Sequence, residues 1–181
     1  MKSVHVYTPH TRTDPGAIAR PEPLAYFLTW TAYGSWLPGD SRGWSDSRGG
    51  LQEPNKQLHD AVAARMKTCA IVLTPEERQA VERSITAACL SRGWPLHAAS
   101  CRTQHVHVVV TAPRLAPVTV LQNLKSWATR SLHSSHRTGV DGHHTPRWWT
   151  RGGSRRHVFG ERDLEAVVAY VNDCQAAKRE R

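Results

Sequence analysis

Long apolar runs are absent from this chain of 181 residues. A membrane-spanning helix needs about 18 or more consecutive apolar residues, and no window of the sequence approaches that length. The opening stretch, MKSVHVYTPHTRTDPGAIARPEP, also lacks the apolar centre of a secretory signal peptide. We therefore expect a cytoplasmic protein with no membrane partner.

Cysteine is scarce, and its four copies are scattered. Zinc ribbons need closely spaced CxxC pairs, and disulfide frameworks need many cysteines in a short chain. Neither pattern occurs among these positions, and we expect reduced thiols. The cysteines are Cys69, Cys89, Cys101 and Cys174.

Acidic residues are fewer than basic residues. The chain has 15 Asp and Glu and 24 Lys and Arg, which gives a formal net charge of +9. Such an excess of basic residues favours a polyanionic partner, although basic charge alone also serves solubility.

The length and the hydrophobic content of 39% suit a single core. We predict a flexible N-terminal arm over residues 1–23, rich in Pro, Thr and Arg, and one domain over residues 24–181.

Apolar periodicity and capping signals predict an α+β domain. LAYFLTWTAY favours a buried strand, and WPLHAASCRTQHVHVVVTAP favours a hairpin. Helices are predicted at about 55–68, from the Thr74 capping box to Gly93, after APVTV, and from ERDLE onward. The Gly-rich and Ser-rich segment 34–54 reads as a long loop. This order predicts a ferredoxin-like antiparallel sheet with helices packed on one face and the other face open to a ligand.

Two histidines, His105 and His107, stand two residues apart at the start of an apolar strand in CRTQHVHVVV. Side chains on a strand alternate between faces, so both imidazoles lie on the same face and could bind one metal ion. On spacing alone such a pair is more often found at a surface or core edge. Oxygen donors near the pair would suit Mg²⁺ or Mn²⁺ better than a tetrahedral zinc site.

Basic and aromatic residues alternate in RWWTRGGSRRHVF, a composition typical of single-strand binding. In the preceding helix, Lys125 and Arg130 could contact the phosphates of a hairpin stem. An alternative is that the tryptophans belong to the core and the arginines to a solvated rim. The candidate DNA-binding residues of the basic segment are Arg147, Trp148, Trp149, Arg151, Arg155 and Arg156.

Several motifs together resemble the HUH-class single-strand DNA transposases, in particular the REP-associated tyrosine transposase group. These motifs are LTWTAYGSWLPGDSRGW, HVH, NLKSW, RWWTRGGSRRHVF and AYVNDCQ. The resemblance implies a metal-dependent endonuclease with a ferredoxin-like core that works as a dimer. Such an enzyme nicks single-stranded or hairpin DNA, forms a 5′-phosphotyrosine bond and rejoins strands.

The resemblance also implies roles for individual residues. Tyr170 matches the nucleophile, His105 and His107 match the ligands of Mg²⁺ or Mn²⁺, and Gln175 is the candidate third ligand. One departure is that the position one helical turn after the tyrosine is Cys174, a poor ligand for a hard cation. Asp173 therefore stays open as an alternative third ligand. Whether Tyr170 serves the histidines of its own chain or of a partner is also left open.

Two other functions compete with DNA cleavage. A domesticated protein on the same fold could bind DNA or RNA without cutting it, but it would not need His105, His107 and Tyr170 together. A zinc hydrolase using only the histidine pair would lack a convincing third ligand and general base.

Overall fold

The computed structural model describes residues 21–45, 50–66, 68–136 and 147–176, apart from the side chains of residues 45, 135, 136 and 174–176. Most of the predicted arm, residues 1–20, lies outside the described residues. No helix in the described part of the chain is long and apolar enough to cross a membrane. The elements in chain order are β1 (Ala25–Thr31), β2 (Trp44–Ser45), β3 (Leu51–Gln52), α1 (Lys56–Ala64), α2 (Pro75–Arg92), β4 (Leu96–Cys101), β5 (His105–Val110), α3 (Pro117–His136), β6 (Ser154–Val158) and α4 (Glu161–Ala176).

Helix α2 begins and ends at the residues that the sequence predicts. The Thr74 side chain accepts a hydrogen bond from the Glu77 N–H, and the Glu77 carboxylate accepts one from the Thr74 N–H, which completes the capping box. Gly93 ends the helix in the left-handed conformation with φ 64°.

Four strands form an antiparallel sheet in the order β4-β5-β1-β6. The central strands β1 and β5 pair so that Thr29 lies opposite His107 and Thr31 lies opposite His105. This sheet and its helices confirm the predicted α+β class. The segment predicted as one irregular loop, 34–54, contains a small hairpin in which β2 pairs with β3.

Helices lie on both faces of the sheet, which corrects the prediction that they pack on one face. One face carries Leu28, Trp30 and Val108 into the main core with α2 and α3. On the other face, Val167 and Val171 of α4 pack in a smaller core cluster that includes Val109, Ala25 and Val158. The sequence could not assign α4 to a face, because its apolar stripe would suit either side. The histidine face is therefore partly covered by α4.

Candidate active site

The histidine pair lies on the face of β5 that α4 covers. The imidazole centroids of His105 and His107 are 4.8 Å apart, with an angle of 71° between the rings. Val106, between them, is buried in the main core on the opposite face. The predicted alternation of side chains thus places both rings on one face. It also places Val106 in the core on the other face, where it anchors the strand.

Thr29 fixes the ring of His107 from the neighbouring strand. Its Oγ1 is 2.9 Å from His107 Nδ1, a hydrogen bond between direct cross-strand partners. With Nδ1 engaged, the Nε2 atom is the nitrogen left to bind a metal ion, as is usual for metal-binding histidines with a second hydrogen-bond partner.

His107 is held in its neutral form. Its side chain is only 8% exposed, and this burial, with the charges of His105 and Arg102 adding to it, lowers its pKa to about 4. A neutral imidazole is the form that binds metal ions, so near neutral pH no proton has to leave before a metal binds.

Tyr170 of α4 lies next to the histidine pair of its own chain. The ring centroids of Tyr170 and His107 are 5.8 Å apart, and Phe27 of β1 contacts both rings, at 5.7 Å from His107 and 6.1 Å from Tyr170. Val167 and Val171 anchor α4, while Tyr170 remains 51% exposed. The site therefore combines two imidazoles with a phenol that a substrate can reach.

No three His, Cys, Asp or Glu side chains in the described part of the chain form a group that could hold a metal ion. Asp173, the alternative ligand, is described and exposed but does not complete such a group. Gln175 is in the last turn of α4, and its side chain lies outside the described residues. The two imidazoles fit a divalent cation that takes its remaining ligands from an amide oxygen, water and the substrate.

The two arginines of β6 lie on opposite faces of the sheet. Arg156 pairs with Phe27 and so shares the histidine face, whereas Arg155 pairs with Leu28 and shares the main-core face. Both are exposed on an edge strand, and Arg151 is exposed just before it. Of the two arginines on β6, only Arg156 is therefore placed beside the Tyr170 site.

Both tryptophans of the basic segment belong to the core. Trp148 is 5% exposed and Trp149 is 7% exposed, and the Trp149 ring packs edge-on against Trp30 at 6.0 Å between centroids. Trp149 also donates a hydrogen bond from Nε1 to Thr129 Oγ1 at 3.1 Å. Buried rings offer no face to an unpaired base, so the stacking role predicted for them is not available in this arrangement.

Lys125 ties α3 to the segment after Trp149. Its Nζ donates hydrogen bonds to the carbonyl oxygens of Thr150 and Gly152, at 2.7 and 2.8 Å. Burial, with the charge of Arg147 adding to it, lowers its pKa to about 8. Lys125 therefore positions the backbone beside β6, which the helical periodicity of the sequence could not reveal.

An open cleft of about 480 Å³ lies between α3 and the segment 147–150. Arg130 and Arg147 line it, and both are exposed. Their guanidinium groups stack over Trp127 and Tyr33, at 5.3 and 5.7 Å from the ring centroids. Because α3 packs on the main-core face, this basic cleft lies on the side of the sheet away from Tyr170.

Thr29 and Phe27 are site residues that the sequence reasoning missed. The sequence predicts their strand, but only the pairing register of this strand with β5 places Thr29 opposite His107. Register depends on long-range packing and cannot be read from one strand alone. The sequence signal that could have identified these two residues is the alternation of side chains along β1, which puts Phe27 and Thr29 on one face.

The chain is similar to a transposase family and to solved transposase structures. The family model described as "Transposase IS200 like" matches residues 56–174. No curated protein matches the chain. Among solved structures, a REP-associated tyrosine transposase bound to a REP hairpin is similar with 12% identity and a TM-score of 0.45, covering 94% of this chain and 70% of the other. Another, described as "a putative transposase from Deinococcus radiodurans R1", has 14% identity and a TM-score of 0.43, covering 96% of this chain and 97% of the other.

Proposed function

The chain belongs to the IS200-like transposase family, and we propose that it nicks and rejoins single-stranded DNA through a covalent bond to Tyr170. The observation that carries the proposal is the meeting of Tyr170 with His107 at 5.8 Å on one face of the sheet. The histidines and the tyrosine come from separate elements, β5 and α4, so no local sequence constraint brings them together. The order of motifs further favours the REP-associated group within this family.

In the proposed reaction, the Tyr170 oxygen attacks a backbone phosphorus atom. A bond forms between Oη and phosphorus, and the bond from phosphorus to the 3′ oxygen breaks. The phenol loses a proton and the departing 3′ oxygen gains one, so one strand end carries a 5′-phosphotyrosine and the other a free hydroxyl. Because this exchange keeps a phosphodiester, attack by a 3′ hydroxyl can reverse it and rejoin strands without ATP.

His105 and His107, with Gln175 as third ligand, would hold Mg²⁺ or Mn²⁺ in this site. When bound, the cation would polarise the phosphate and offset the negative charge that builds on its oxygens. Thr29 keeps His107 oriented by its hydrogen bond to Nδ1. Phe27 packs against both His107 and Tyr170 and so limits how far the phenol can move from the pair.

The DNA contacts that we propose come from exposed arginines on two sides of the sheet. Arg156 would contact the single strand beside Tyr170, and Arg130 and Arg147 would contact phosphates of a hairpin stem in the cleft along α3. Arg151 and Arg155 could extend the stem contact. We further propose a homodimer, as the resemblance implies, in which each Tyr170 serves the histidines of its own chain, the arrangement that the 5.8 Å distance favours.

Covalent capture of DNA tests the proposal. Labelled single strands copied from the DNA beside the coding sequence, and able to fold into hairpins, are incubated with the protein and Mn²⁺ or Mg²⁺. A metal-dependent protein band that carries the label through a denaturing gel is the expected result. Absence of both adduct and cleavage product with every flanking strand would reject the nicking function.

The second candidate is a DNA-binding or RNA-binding protein without cleavage activity. It is favoured by one observation, the lack of a third His, Cys, Asp or Glu near the histidine pair among the described residues. This function predicts retardation of the same strands in a native gel with no covalent adduct at any metal concentration.

The third ligand can be identified by comparing two substitutions near the end of α4. Gln175→Ala should raise the Mn²⁺ concentration needed for half-maximal nicking by about 10-fold to 100-fold, the usual effect of losing a ligand or its support. Asp173→Ala serves as the control and should change it little. If Asp173→Ala has the larger effect, the ligand is Asp173 and not Gln175.

Arg156 and Arg155 give a matched pair for testing which face the single strand follows. Arg156→Ala should lower the slope of log affinity against log salt by about 0.7 for a short single strand, the value for one lost phosphate contact. Arg155→Ala removes the same charge from the opposite face and should leave the slope unchanged. Fluorescence anisotropy at several salt concentrations measures both, and equal slopes for the two variants would contradict the assignment.

A further inference from the structure

Trp36 is a large aromatic side chain held at the surface of the segment that follows β1. Its side chain is 46% exposed, and its Nε1 donates a hydrogen bond to the carbonyl oxygen of Gly43 at 2.7 Å. This hydrogen bond fixes the orientation of the indole. An exposed ring that is held in one orientation loses little conformational entropy when a flat ligand packs on it.

Arg42 stacks over this indole and is itself held in place. Its Cζ atom lies 4.9 Å from the ring centroid, within the range of a cation–π contact. Arg42 donates from Nε and Nη2 to the two carboxylate oxygens of Asp40, at 2.8 and 2.7 Å, and from Nη2 to the Ser35 carbonyl at 2.9 Å. These hydrogen bonds lower the pKa of Asp40 to about 2, so the pair stays charged near neutral pH. We call the two planar groups the Trp36–Arg42 stack.

The turn between Trp36 and Arg42 packs closely against the start of α1. Gly39 has φ 86°, and a Cβ at this position would collide with the backbone of Asn55 and His59. The Gly39 carbonyl oxygen also accepts a hydrogen bond from the Asn55 N–H, which joins the turn to the start of α1. The turn is therefore held in place by contacts within the chain.

The stack lies near the histidine end of the sheet. Ser35 Oγ donates a hydrogen bond to the carbonyl oxygen of Gln104, the residue directly before His105. The backbone N–H of Ala32 also donates to the same oxygen at 2.7 Å. The turn that carries Trp36 is thus attached to the start of β5, where the metal-binding pair begins.

We propose that Trp36 is a stacking site for an unpaired base of the DNA strand that enters the Tyr170 site, an inference that rests on the proposed function. Every nucleobase has an aromatic face, and stacking on an indole is the usual way in which proteins hold single strands. The charge of Arg42 is already paired with Asp40. Its guanidinium group therefore serves as the second planar group of the stack and does not bind a phosphate. The net charge of +9 favours a nucleic acid over a neutral apolar partner at this surface.

Substitutions that separate ring stacking from apolar contact test this site. Binding of a fluorescein-labelled oligothymidylate is measured by anisotropy in EDTA, so that affinity is read without cleavage. Trp36→Leu should weaken binding by about 10-fold, in line with the loss of one stacked base, and Trp36→Phe should keep most of the affinity because it retains an aromatic plane. Trp44→Leu is the matched control, because this half-buried tryptophan on the same segment has no arginine described over its ring.

Each outcome bears on one claim. Wild-type affinity in Trp36→Leu would overturn the stacking site, and so would equal losses in Trp36→Leu and Trp44→Leu, which would indicate general damage to the segment. Equal losses in the leucine and phenylalanine variants at Trp36 would also overturn it. Wild-type protein that fails to bind the oligothymidylate, or that never forms an adduct with flanking strands, would instead count against the proposed function.

Discussion

Replacing Tyr170 with phenylalanine should abolish the covalent protein–DNA adduct and leave DNA binding in place. The substitution removes the oxygen that we propose as the nucleophile and keeps the ring that packs against Phe27 and His107. Loss of a nucleophile lowers the rate of the step it performs by at least about a thousand-fold. Because Tyr170 is 51% exposed, the free energy of unfolding should change by less than about 1 kcal/mol. A denaturing gel with end-labelled single strands measures the adduct.

Tyr33→Phe is the control for this prediction. Tyr33 is a half-buried tyrosine whose ring lies under the guanidinium of Arg147, on the side of the molecule where the cleft opens. Its phenylalanine variant keeps that ring and should form the adduct at the wild-type level. An adduct that persists in Tyr170→Phe would assign the attack to another residue.

Local signals explain which elements could be predicted from the sequence. Thr74, Pro75 and Glu77 define the start of α2 through contacts within one helical turn, and Gly93 defines its end through its own backbone conformation. The turn near Arg102 likewise predicts the hairpin of β4 and β5. Such features depend on neighbours in the chain and need no knowledge of the fold.

Long-range packing explains what the sequence could not reveal. The histidine pair was visible because strand alternation places both rings on one face, but its contact with Thr29 depends on the register of β1 against β5. The helical periodicity predicts that Lys125 is an exposed cation. Its half-buried position and its hydrogen bond to the Thr150 carbonyl oxygen depend on the fold. The sequence makes Trp148 a candidate for base stacking, but the structure shows its side chain in the main core.

The two-sided packing of helices has a direct consequence for the site. With α4 on the histidine face, Tyr170 lies beside His107, whereas a helix on the main-core face would have the whole sheet between the two side chains. The apolar residues Val167 and Val171 that hold α4 there therefore position the phenol as well as stabilise the fold. The packing of α4 therefore sets the position of Tyr170 without the need for a metal ion.

The two histidines differ in how much structure depends on them. His107 is 8% exposed and hydrogen-bonded to Thr29, so its removal leaves a cavity and a threonine hydroxyl that loses its partner. His105 is only half-buried at the start of β5, so its removal should change the free energy of unfolding less. His105→Ala is therefore the cleaner test of metal binding, and Thr29→Val tests the positioning of His107 without removing a ligand.

Both His105→Ala and His107→Ala should lower Mn²⁺-dependent nicking by at least about 100-fold, because each removes one of the few groups that can bind the cation. Binding of single strands in EDTA should stay within a few-fold of wild type, since the contacts that we propose for the single strand come from Arg156 and Trp36. Thr29→Val should nick at saturating Mn²⁺ but require about 10-fold more of the metal ion, the usual effect of losing a hydrogen bond to a ligating histidine. Calorimetric titration with Mn²⁺ in the absence of DNA gives an independent measure, in which wild-type protein binds one ion and the alanine variants bind it weakly. Wild-type nicking and wild-type Mn²⁺ affinity in both alanine variants would remove the metal ion from this site.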